Sequence, residues 1–390
     1  MPNSAISFEK FIEKKPLFYK EIDHARVHKA YAILAPHIQK PMVIHVVGTN
    51  GKGSTGRIMA TLLHESKKRV GHFSSPHILK FNERIWMEGA DSSDGSLEMA
   101  HLKLYGVLEK EISEGLSYFE YTTLLALVAM EELDIIVLEA GLGGEFDATN
   151  VVSKALSVIT PIGIDHQNFL GESVEEIART KLNSMEKKVV LARQKYDEVY
   201  KIAEEIATQK GAMIYRVEIQ EDMALLERIE SLGWAYYLYE NTKLALKALD
   251  ILEFPYSLND LKKVKLFGRF YQLSSNVTID VGHNLLATEA IVKILKNKNE
   301  KIVLIYNTLE DKEYEKILAL FAPFLKSVEL LSITTPRVVD SNLLYQALEK
   351  LSLPYENFTN IKDENNYLVF GSFYVVEEFI RRNSLNLNNN

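Results

Sequence analysis

Short apolar segments alternate with longer amphipathic stretches along almost the whole chain. Seven of these segments have the length and composition of buried strands: MVIHVV (42–47), DIIVLEA (134–140), ALSVIT (155–160), NVTIDV (276–281), KIVLIYN (301–307), SVELLSI (327–333) and NYLVFGS (366–372). Short apolar runs separated by helical stretches are typical of parallel strands whose two faces are both covered. The pattern predicts an α/β fold with mainly parallel sheets flanked by helices.

The predicted strands fall into two groups, three of them before residue 161 and four after residue 275. A single hydrophobic core rarely grows beyond ~250 to 300 residues, and this chain has 390. Between the groups lie a charged, mostly helical stretch (195–250) and the segment YSLNDLKKVKLFGRF (256–270), which is typical of a crossing between domains. We therefore predict an N-terminal domain of residues 1–265 and a smaller, Rossmann-like C-terminal α/β domain of residues 266–390.

Composition argues against several classes of protein. The net charge is −8 and residues of both signs are mixed along the chain, so we expect no nucleic-acid partner. The absence of cysteine excludes disulfides, thiolate zinc sites and cysteine nucleophiles. No apolar run reaches the ~20 residues of a membrane span, and the charged start MPNSAISFEKFIEKK predicts no signal peptide. A cytoplasmic protein without membrane contact is expected.

The first predicted strand runs directly into the loop GTNGKGST (48–55). Glycines let backbone N–H groups turn inward, a lysine adds a mobile positive charge, and a following helix presents its N-terminal dipole. These features predict a phosphate-binding loop made of Asn50, Gly51, Lys52, Gly53, Ser54 and Thr55.

The spacing of this loop differs from the usual nucleotide loop G-x-x-x-x-G-K-[ST]. Only two residues separate Gly48 from Gly51, and Gly53 stands between Lys52 and Ser54. A glycine-rich turn without a ligand is the alternative, but a turn needs neither the lysine nor two hydroxyl groups.

The variant spacing resembles the ATP loop of the folylpolyglutamate synthase and dihydrofolate synthase family, a branch of the Mur ligases. Further segments are similar to the family in the same order: SSPHILKFNERI (74–85), EYTTLLALVAM (120–130), VLEAGLGGEFDATNVV (137–152), VITPIGIDHQNFLGESVEEIARTK (158–181), FGRF (267–270), IDVGHN (279–284), EDKE (310–313), TTPR (334–337) and GSFYVV (371–376). The resemblance covers about residues 45–376. It implies a P-loop-type ATPase domain followed by a glutamate-ligase domain.

The resemblance also implies roles for individual residues. Catalytic roles fall to Lys52, His166 and Lys181, with Lys181 carbamylated. Two magnesium ions would be held by Ser54, Ser75, Glu139, His166 and Lys181. Beyond the loop, ATP would contact Asn241, Arg269 and Asp280. The pterin group would contact Phe119, Glu120, Tyr121, Phe146, Asp147 and Ala148.

Four places depart from the family pattern. LNSMEKK (182–188) follows Lys181 where a glycine-containing turn is common, Phe267 replaces a proline, and Gly282 replaces an alanine. KEIDHARV (20–27) is only loosely similar to the pterin-binding start of the family. None of these differences removes a charged group that the implied chemistry needs.

Read without the resemblance, several of these residues keep a second interpretation. Glu139 and His166 each follow a predicted strand, at the end where open α/β sheets bind ligands, which favours a metal role over a structural one. Lys181 could instead be a solvated lysine on a helix that also carries the acidic Glu175 and Glu176. Ser75 could be a hydroxyl cap and Asp280 a turn cap, while His77 and His283 receive no role.

The implied activity is ATP-dependent joining of L-glutamate to the carboxylate of dihydropteroate or of a reduced folate, through an acyl phosphate. EYTT and FDAT are compatible with pterin-binding members, which favours a bifunctional enzyme over a monofunctional one. EAGLGGEFDATN disfavours a cell-wall Mur ligase. An ATP-dependent switch without a second substrate is the alternative from another class. We expect a monomer; glutamate chain length and the preferred folate are not determined by the sequence.

Overall fold

The computed structural model describes residues 6–16, 23–218, 220–296 and 301–383. The chain forms two compact units, one of residues 1–221 and 240–264, the other of residues 222–239 and 265–390. The segment 222–239 therefore groups with the C-terminal unit, whereas the predicted boundary at 265 assigns it to the N-terminal domain. The division of function at residue 265, with an ATPase domain before it and a glutamate-ligase domain after it, stays a prediction.

The first unit contains an eight-stranded sheet. Its strands are β1 (Met42–Val47), β2 (Val70–Phe73), β3 (Ile85–Met87), β4 (Ala90–Asp91), β5 (Ile135–Glu139), β6 (Leu156–Ile159), β7 (Lys188–Leu191) and β8 (Met213–Arg216). They lie in the order β4-β3-β2-β5-β1-β6-β7-β8. Every neighbouring pair in the run β2-β5-β1-β6-β7-β8 is parallel. The pairs β2–β3 and β3–β4 are antiparallel and extend the sheet beyond β2.

Helices cover both faces of this sheet. The helices before residue 220 are α1 (Phe8–Glu13), α2 (His24–Leu34), α3 (Lys52–Glu65), α4 (Asp94–Gly115), α5 (Tyr118–Ala129), α6 (Gln167–Leu170), α7 (Val174–Leu182) and α8 (Asp197–Lys210). Gly56 of α3 lies against His72 of β2. Neighbouring side chains of a strand point to opposite faces, and Phe73, next to His72, joins the core formed with α4 and α5.

The second unit contains a six-stranded sheet. Its strands are β9 (Tyr271–Ser274), β10 (Val277–Ile279), β11 (Ile302–Tyr306), β12 (Leu325–Leu330), β13 (Tyr355–Asn357) and β14 (Tyr367–Phe370). The order is β13-β12-β11-β14-β10-β9, and only the β9–β10 pair is antiparallel among these strands. The helices after residue 220 are α9 (Met223–Ser231), α10 (Tyr236–Ile251), α11 (Leu285–Leu295), α12 (Tyr314–Phe321), α13 (Ser341–Lys350) and α14 (Phe373–Arg382). Apolar side chains of α11, α12 and α13 pack on β11 and β12.

Short 3₁₀ helices complete the secondary structure. They are Ala35–His37, Phe81–Arg84, Ala148–Val151, Leu258–Lys263 and Ala322–Phe324. The one at Leu258–Lys263 lies in the predicted crossing segment, and there Lys263 forms an ion pair with Glu65 at the end of α3. This part of the crossing segment therefore belongs to the first unit.

All seven predicted strands are confirmed, and so is the α/β fold with mainly parallel sheets. The prediction missed seven further strands, namely β2, β3, β4, β7, β8, β9 and β13, which have two to four residues each. Runs this short carry too little apolar periodicity to stand out. The stretch 195–250 is mostly helical as predicted, but β8 lies within it. Among the helices of the described residues, none has both the length and the apolar character to span a bilayer.

Candidate functional site

The glycine loop connects β1 to α3 and has the conformation that its glycines predict. Gly51 adopts a left-handed conformation with φ of 87°, and a Cβ at this position would lie 2.6 Å from Asn241 Oδ1. Thr49 ties the loop to the segment after β6, because its hydroxyl donates to the Gly163 carbonyl at 3.0 Å. Asn50 and Gly51 lead into α3, and Gly51 as N-cap residue provides no side-chain cap for the helix. The N-terminus of α3 is therefore suited to an anion.

Two lysine amines meet at one carbonyl oxygen of this loop. Lys52 Nζ donates to the Gly48 and Thr49 carbonyls at 3.2 Å each. Lys181 Nζ, from α7, donates to the same Gly48 carbonyl at 2.9 Å. Burial, followed by the positive charge of Lys52, lowers the pKa of Lys181 to about 7, although Asp165 and Asp147 oppose the shift. The interpretation of Lys181 as a solvated lysine is wrong, since its residue is only 4% exposed.

Several polar atoms around the loop are buried without a partner among the described residues. They are Ser54 Oγ, Thr55 Oγ1 and Asn241 Nδ2. Ser54 lies with Gly53 in the first turn of α3, and Asn241 lies on α10. An unpaired buried polar atom costs free energy, so these atoms fit a ligand that would complete their hydrogen bonds.

Glu139 is the last residue of β5, and its residue is 4% exposed. Its carboxylate accepts a hydrogen bond from the Ser75 backbone N–H at 3.2 Å, which brings two of the predicted metal residues together. The loop carrying Ser75 is fixed by Glu83, whose carboxylate accepts from the N–H groups of Ile78, Leu79 and Lys80 at 2.8 Å each. Sequence reasoning missed this role of Glu83.

His166 stands immediately before α6 in a left-handed conformation with φ of 54°. Its Nε2 lies 4.0 Å from Asp165 Oδ2, and its side chain is 35% exposed. The conformation is uncommon for a residue other than glycine, so the surrounding fold constrains the backbone at His166. A metal role for His166 stays a prediction.

The predicted metal residues form no cluster of three or more His, Asp or Glu side chains within the described part of the chain. Among the predicted metal residues, only Glu139 and His166 are of these three types. The others are two serines, Ser54 and Ser75, and Lys181. Magnesium prefers oxygen ligands and commonly shares its coordination shell between one or two carboxylates and nucleotide phosphates. The buried Ser54 hydroxyl and the buried Glu139 carboxylate fit such an ion, and phosphate oxygens would supply the remaining ligands.

Two of the predicted pterin-binding segments lie next to each other. Phe119 of α5 packs on Gly141, where a Cβ would lie 2.5 Å from the tip of its ring. Asp147 is 5% exposed; it accepts from the backbone of Thr149 at 3.0 Å and from the backbone of Leu142 at 2.8 Å. It thereby caps the 3₁₀ helix that contains Ala148, and it holds the loop that follows β5.

The other predicted pterin residues differ widely in exposure. Phe146 is 53% exposed, whereas Tyr121 is completely buried and hydrogen-bonds His101 Nδ1 at 2.7 Å. Glu120 pairs with Arg26 at 2.8 Å and accepts from the Ser117 N–H at 2.7 Å as part of a capping box. Arg26 belongs to the loosely similar segment 20–27, whose residues 20–22 lie outside the described residues. These contacts assign structural tasks to Glu120 and Tyr121, and their ligand roles stay predictions.

A second group of predicted residues lies in the C-terminal unit. Asp280 follows β10, is 4% exposed and accepts three hydrogen bonds, including one from Gly282 N–H at 2.7 Å. Its predicted alternative as a turn cap is therefore part of its role. The Arg269 guanidinium lies 5.3 Å from the centre of the Phe373 ring and donates to the Gly268 carbonyl at 3.2 Å.

Sequence reasoning missed two partners of the predicted site residues. His45 Nε2 lies 2.8 Å from the Thr149 hydroxyl, which in turn donates to Asp147 at 2.5 Å. Tyr237 donates its hydroxyl proton to Asp280 at 2.8 Å. Neither contact has a signal in the sequence, because the partners are separated by 104 and 43 residues.

Comparison with known proteins places this geometry in context. The dihydrofolate synthase/folylpolyglutamate synthase of Haemophilus influenzae is 30% identical over 87% of this chain and 88% of its own length. The crystal structure of Helicobacter pylori folylpolyglutamate synthetase has a TM-score of 0.80 at 39% identity and covers 96% of this chain and 97% of its own. Escherichia coli FolC in complex with DHPP and ADP has a TM-score of 0.84 at 27% identity, covering 98% and 99%. No protein-family model matches the chain.

The two α/β units, the lysine-bearing glycine loop and these relatives together define an ATP-dependent acid–amino-acid ligase. The chain belongs to the dihydrofolate synthase/folylpolyglutamate synthase family.

Proposed function

We propose that the chain joins L-glutamate to the carboxylate of dihydropteroate and of reduced folates, with ATP as the source of energy. The observation that carries this proposal is the position of Lys52 at the Gly48 carbonyl, beside the uncapped N-terminus of α3 and the unpartnered Ser54 hydroxyl. The Lys52 amine and a helix N-terminus converge there, and a polyphosphate is the ligand whose charge fits them.

In the proposed reaction, a substrate carboxylate oxygen attacks the γ-phosphorus of ATP, the bond to the bridging oxygen breaks, and ADP leaves. The amine of L-glutamate then attacks the acyl carbon, an amide bond forms, and inorganic phosphate leaves. Phosphoryl transfer needs positioning and charge neutralisation more than covalent help. Lys52 and the backbone N–H groups of residues 51–54 supply both at the phosphates.

Ser54, Ser75, Glu139 and His166 are the residues that would hold magnesium. When bound, magnesium supplies positive charge that neutralises the phosphate oxygens. The fit rests on the unpartnered Ser54 hydroxyl and on the Glu139 carboxylate, which is tied to the Ser75 backbone. A pair of ions rather than one is part of the proposal.

We also propose that Lys181 is carbamylated in the active enzyme. Its amine is buried beside the amine of Lys52, so a charged lysine would be held next to a like charge. Addition of CO₂ to the neutral amine, with loss of one proton, makes an anionic group with two oxygens. Such a group would attract both Lys52 and a metal ion instead of repelling them.

The folate precursor is proposed to bind where Phe119 packs on the loop after β5. The exposed Phe146 ring offers a stacking surface, and Asp147 with Ala148 shapes the loop. The complex of the Escherichia coli enzyme with DHPP and ADP supports a folate precursor as substrate. Asn241, Arg269 and Asp280 are proposed as further nucleotide contacts.

Two versions of this function have support. The Haemophilus influenzae relative is named for both activities, whereas the Helicobacter pylori relative is named a folylpolyglutamate synthetase alone. We propose the bifunctional version, in a cytoplasmic monomer, because the pterin-binding segments EYTT and FDAT are both present.

Phosphate release from ATP tests the proposal. Release should require both L-glutamate and an acceptor, and dihydropteroate and tetrahydrofolate are assayed in parallel. Turnover with tetrahydrofolate alone would support the monofunctional version. Hydrolysis of ATP at a rate indifferent to glutamate and to both acceptors would contradict ligation and favour an ATP-dependent switch.

A further inference from the structure

Tyr237 stands in the first turn of α10, in the segment that groups with the C-terminal unit. Its side chain is directed at a single buried carboxylate, and its hydroxyl donates to Asp280 Oδ2 at 2.8 Å. Burial and the negative charge of Asp280 raise the pKa of Tyr237 well above its usual value, so its proton is retained as a donor. The sequence assigns no role to this tyrosine.

The hydrogen bonds of Asp280 are distributed unevenly over its two oxygens. Oδ2 accepts from the Tyr237 hydroxyl and from the Phe270 backbone N–H, at 2.8 Å each. Oδ1 accepts from the Gly282 N–H at 2.7 Å. A carboxylate has about four acceptor positions, two on each oxygen. Tyr237 therefore completes the acceptor capacity of Oδ2 and leaves Oδ1 as the oxygen with a remaining position.

The same carboxylate holds the turn that carries Arg269. Phe270 has φ of 46°, a left-handed conformation that a bulky residue rarely adopts. Its N–H is the group that donates to Oδ2, so the bond stabilises this conformation and with it the position of the neighbouring Arg269. The orientation of the Asp280 carboxylate thus affects both residues predicted to contact ATP in this unit.

We propose that Tyr237 is a positioning residue of the nucleotide site, which orients Asp280 so that Oδ1 accepts a hydrogen bond from a ribose hydroxyl of ATP. The inference rests on the proposed role of Asp280 in nucleotide binding. Tyr237 itself does not touch the nucleotide in this arrangement. Its contribution is to fix which carboxylate oxygen is presented.

The test is Tyr237→Phe, which removes one oxygen atom, with Tyr236→Phe as the matched control. Tyr236 is the preceding residue on the same helix and is 42% exposed. Affinity for a non-hydrolysable ATP analogue is measured by titration calorimetry, beside the KM values for ATP, L-glutamate and tetrahydrofolate. We expect Tyr237→Phe to weaken analogue binding and raise the KM for ATP about tenfold, the effect of losing a hydrogen bond to a charged group. The other two KM values and the control variant should stay at wild-type values.

Deoxynucleotides separate positioning from a structural role. Either 2′-deoxy-ATP or 3′-deoxy-ATP should bind the wild-type chain about tenfold more weakly than ATP, and Tyr237→Phe should cause no further loss with that nucleotide. A variant that lowers Tm but leaves the affinity for every nucleotide unchanged would overturn the inference, because Tyr237 would then be structural only.

A double-mutant cycle tests directly whether Tyr237 acts through Asp280. If Tyr237 acts through Asp280, adding Tyr237→Phe to Asp280→Ala should change nucleotide affinity less than twofold. Additive losses would overturn the inference. If the chain binds nucleotide but shows no glutamate-dependent turnover, the proposed function is contradicted, and the measured affinities still test the role of Tyr237. If the chain binds no nucleotide, both the proposed function and the inference are contradicted.

Discussion

The glycine loop of the first unit and Asp280 in the second unit differ in how far the protein itself supplies hydrogen-bond partners for their polar groups. At the loop, two lysine amines share one carbonyl oxygen, and the hydroxyls of Ser54 and Thr55 have no partner among the described residues. In the second unit, Asp280 is buried and accepts from a tyrosine and from two backbone N–H groups.

This difference separates a site whose hydroxyls have no protein partner from one whose hydrogen bonds the protein itself supplies. A buried amine beside a like charge and unpartnered buried hydroxyls cost free energy until a ligand satisfies them. A buried carboxylate with three donors already has its hydrogen bonds within the protein, and its main effect is to fix the backbone around it. We therefore expect substitutions at the loop to affect chemistry, and substitutions in the second unit to affect affinity.

The largest expected effect is that of Lys52→Ala. Removing the mobile charge at the phosphates should lower glutamate-dependent phosphate release at least about 10³-fold, because transition-state charge is no longer neutralised. The control is Lys201→Ala, an exposed lysine on α8. Near-normal turnover of Lys52→Ala, measured at saturating ATP, would remove the loop from the proposed mechanism.

Lys181→Ala should reduce turnover by about 100-fold, the scale of loss seen when residues around a metal site are removed. If a carbamate is the functional group, added acetate or formate should restore part of the activity to Lys181→Ala, since a small carboxylate supplies the missing anionic oxygens. Lys181→Arg retains the positive charge and should not be restored. An unmodified lysine in the electron density of active crystals would contradict carbamylation.

The stability of the first unit should depend on pH through His45. Burial, followed by the positive charge of Lys154, lowers the pKa of His45 to about 3 from the value of 6.5. The unfolded state binds the proton first, so stability is present above pH 6.5 and is lost as pH falls towards 3. Between pH 7 and pH 5 the loss should be roughly 2 kcal/mol.

Urea unfolding followed by tryptophan fluorescence measures this effect. Trp86 lies in the first unit and Trp234 in the second, so a Trp234→Phe background reports on the first unit alone. His45→Gln can still donate to Thr149 and should flatten the dependence on pH. An unchanged slope in His45→Gln would show that His45 does not carry the linkage.

The smallest expected effect belongs to the second unit. Arg269→Lys keeps the charge but replaces a planar fork of donors with a single point charge. We expect the KM for ATP to rise about tenfold with kcat changed less than twofold, in line with a lost two-point contact. A fall in kcat at unchanged KM would contradict the expected difference between the two units, because the second unit would then act on the chemical step.

Much of the fold was accessible from the sequence because its strands are buried on both faces. Continuous runs such as MVIHVV and KIVLIYN have a pattern that few other structures share, and all seven predicted runs are strands. The short strands β7 and β8 were missed, because four residues among charged neighbours carry no recognisable period. The strand order within each sheet follows from packing between distant segments and has no local signal.

The sequence by itself determined the glycine loop, the carboxylate at the end of β5 and the family resemblance, because each depends on residues that are neighbours along the chain. Only the tertiary structure decided that Lys181 is buried at the Gly48 carbonyl, 133 residues away, rather than solvated on its helix. It also decided that Tyr237 donates to Asp280. The physical reason is that the charge state and hydrogen-bond partner of a polar group are set by burial and by distant neighbours.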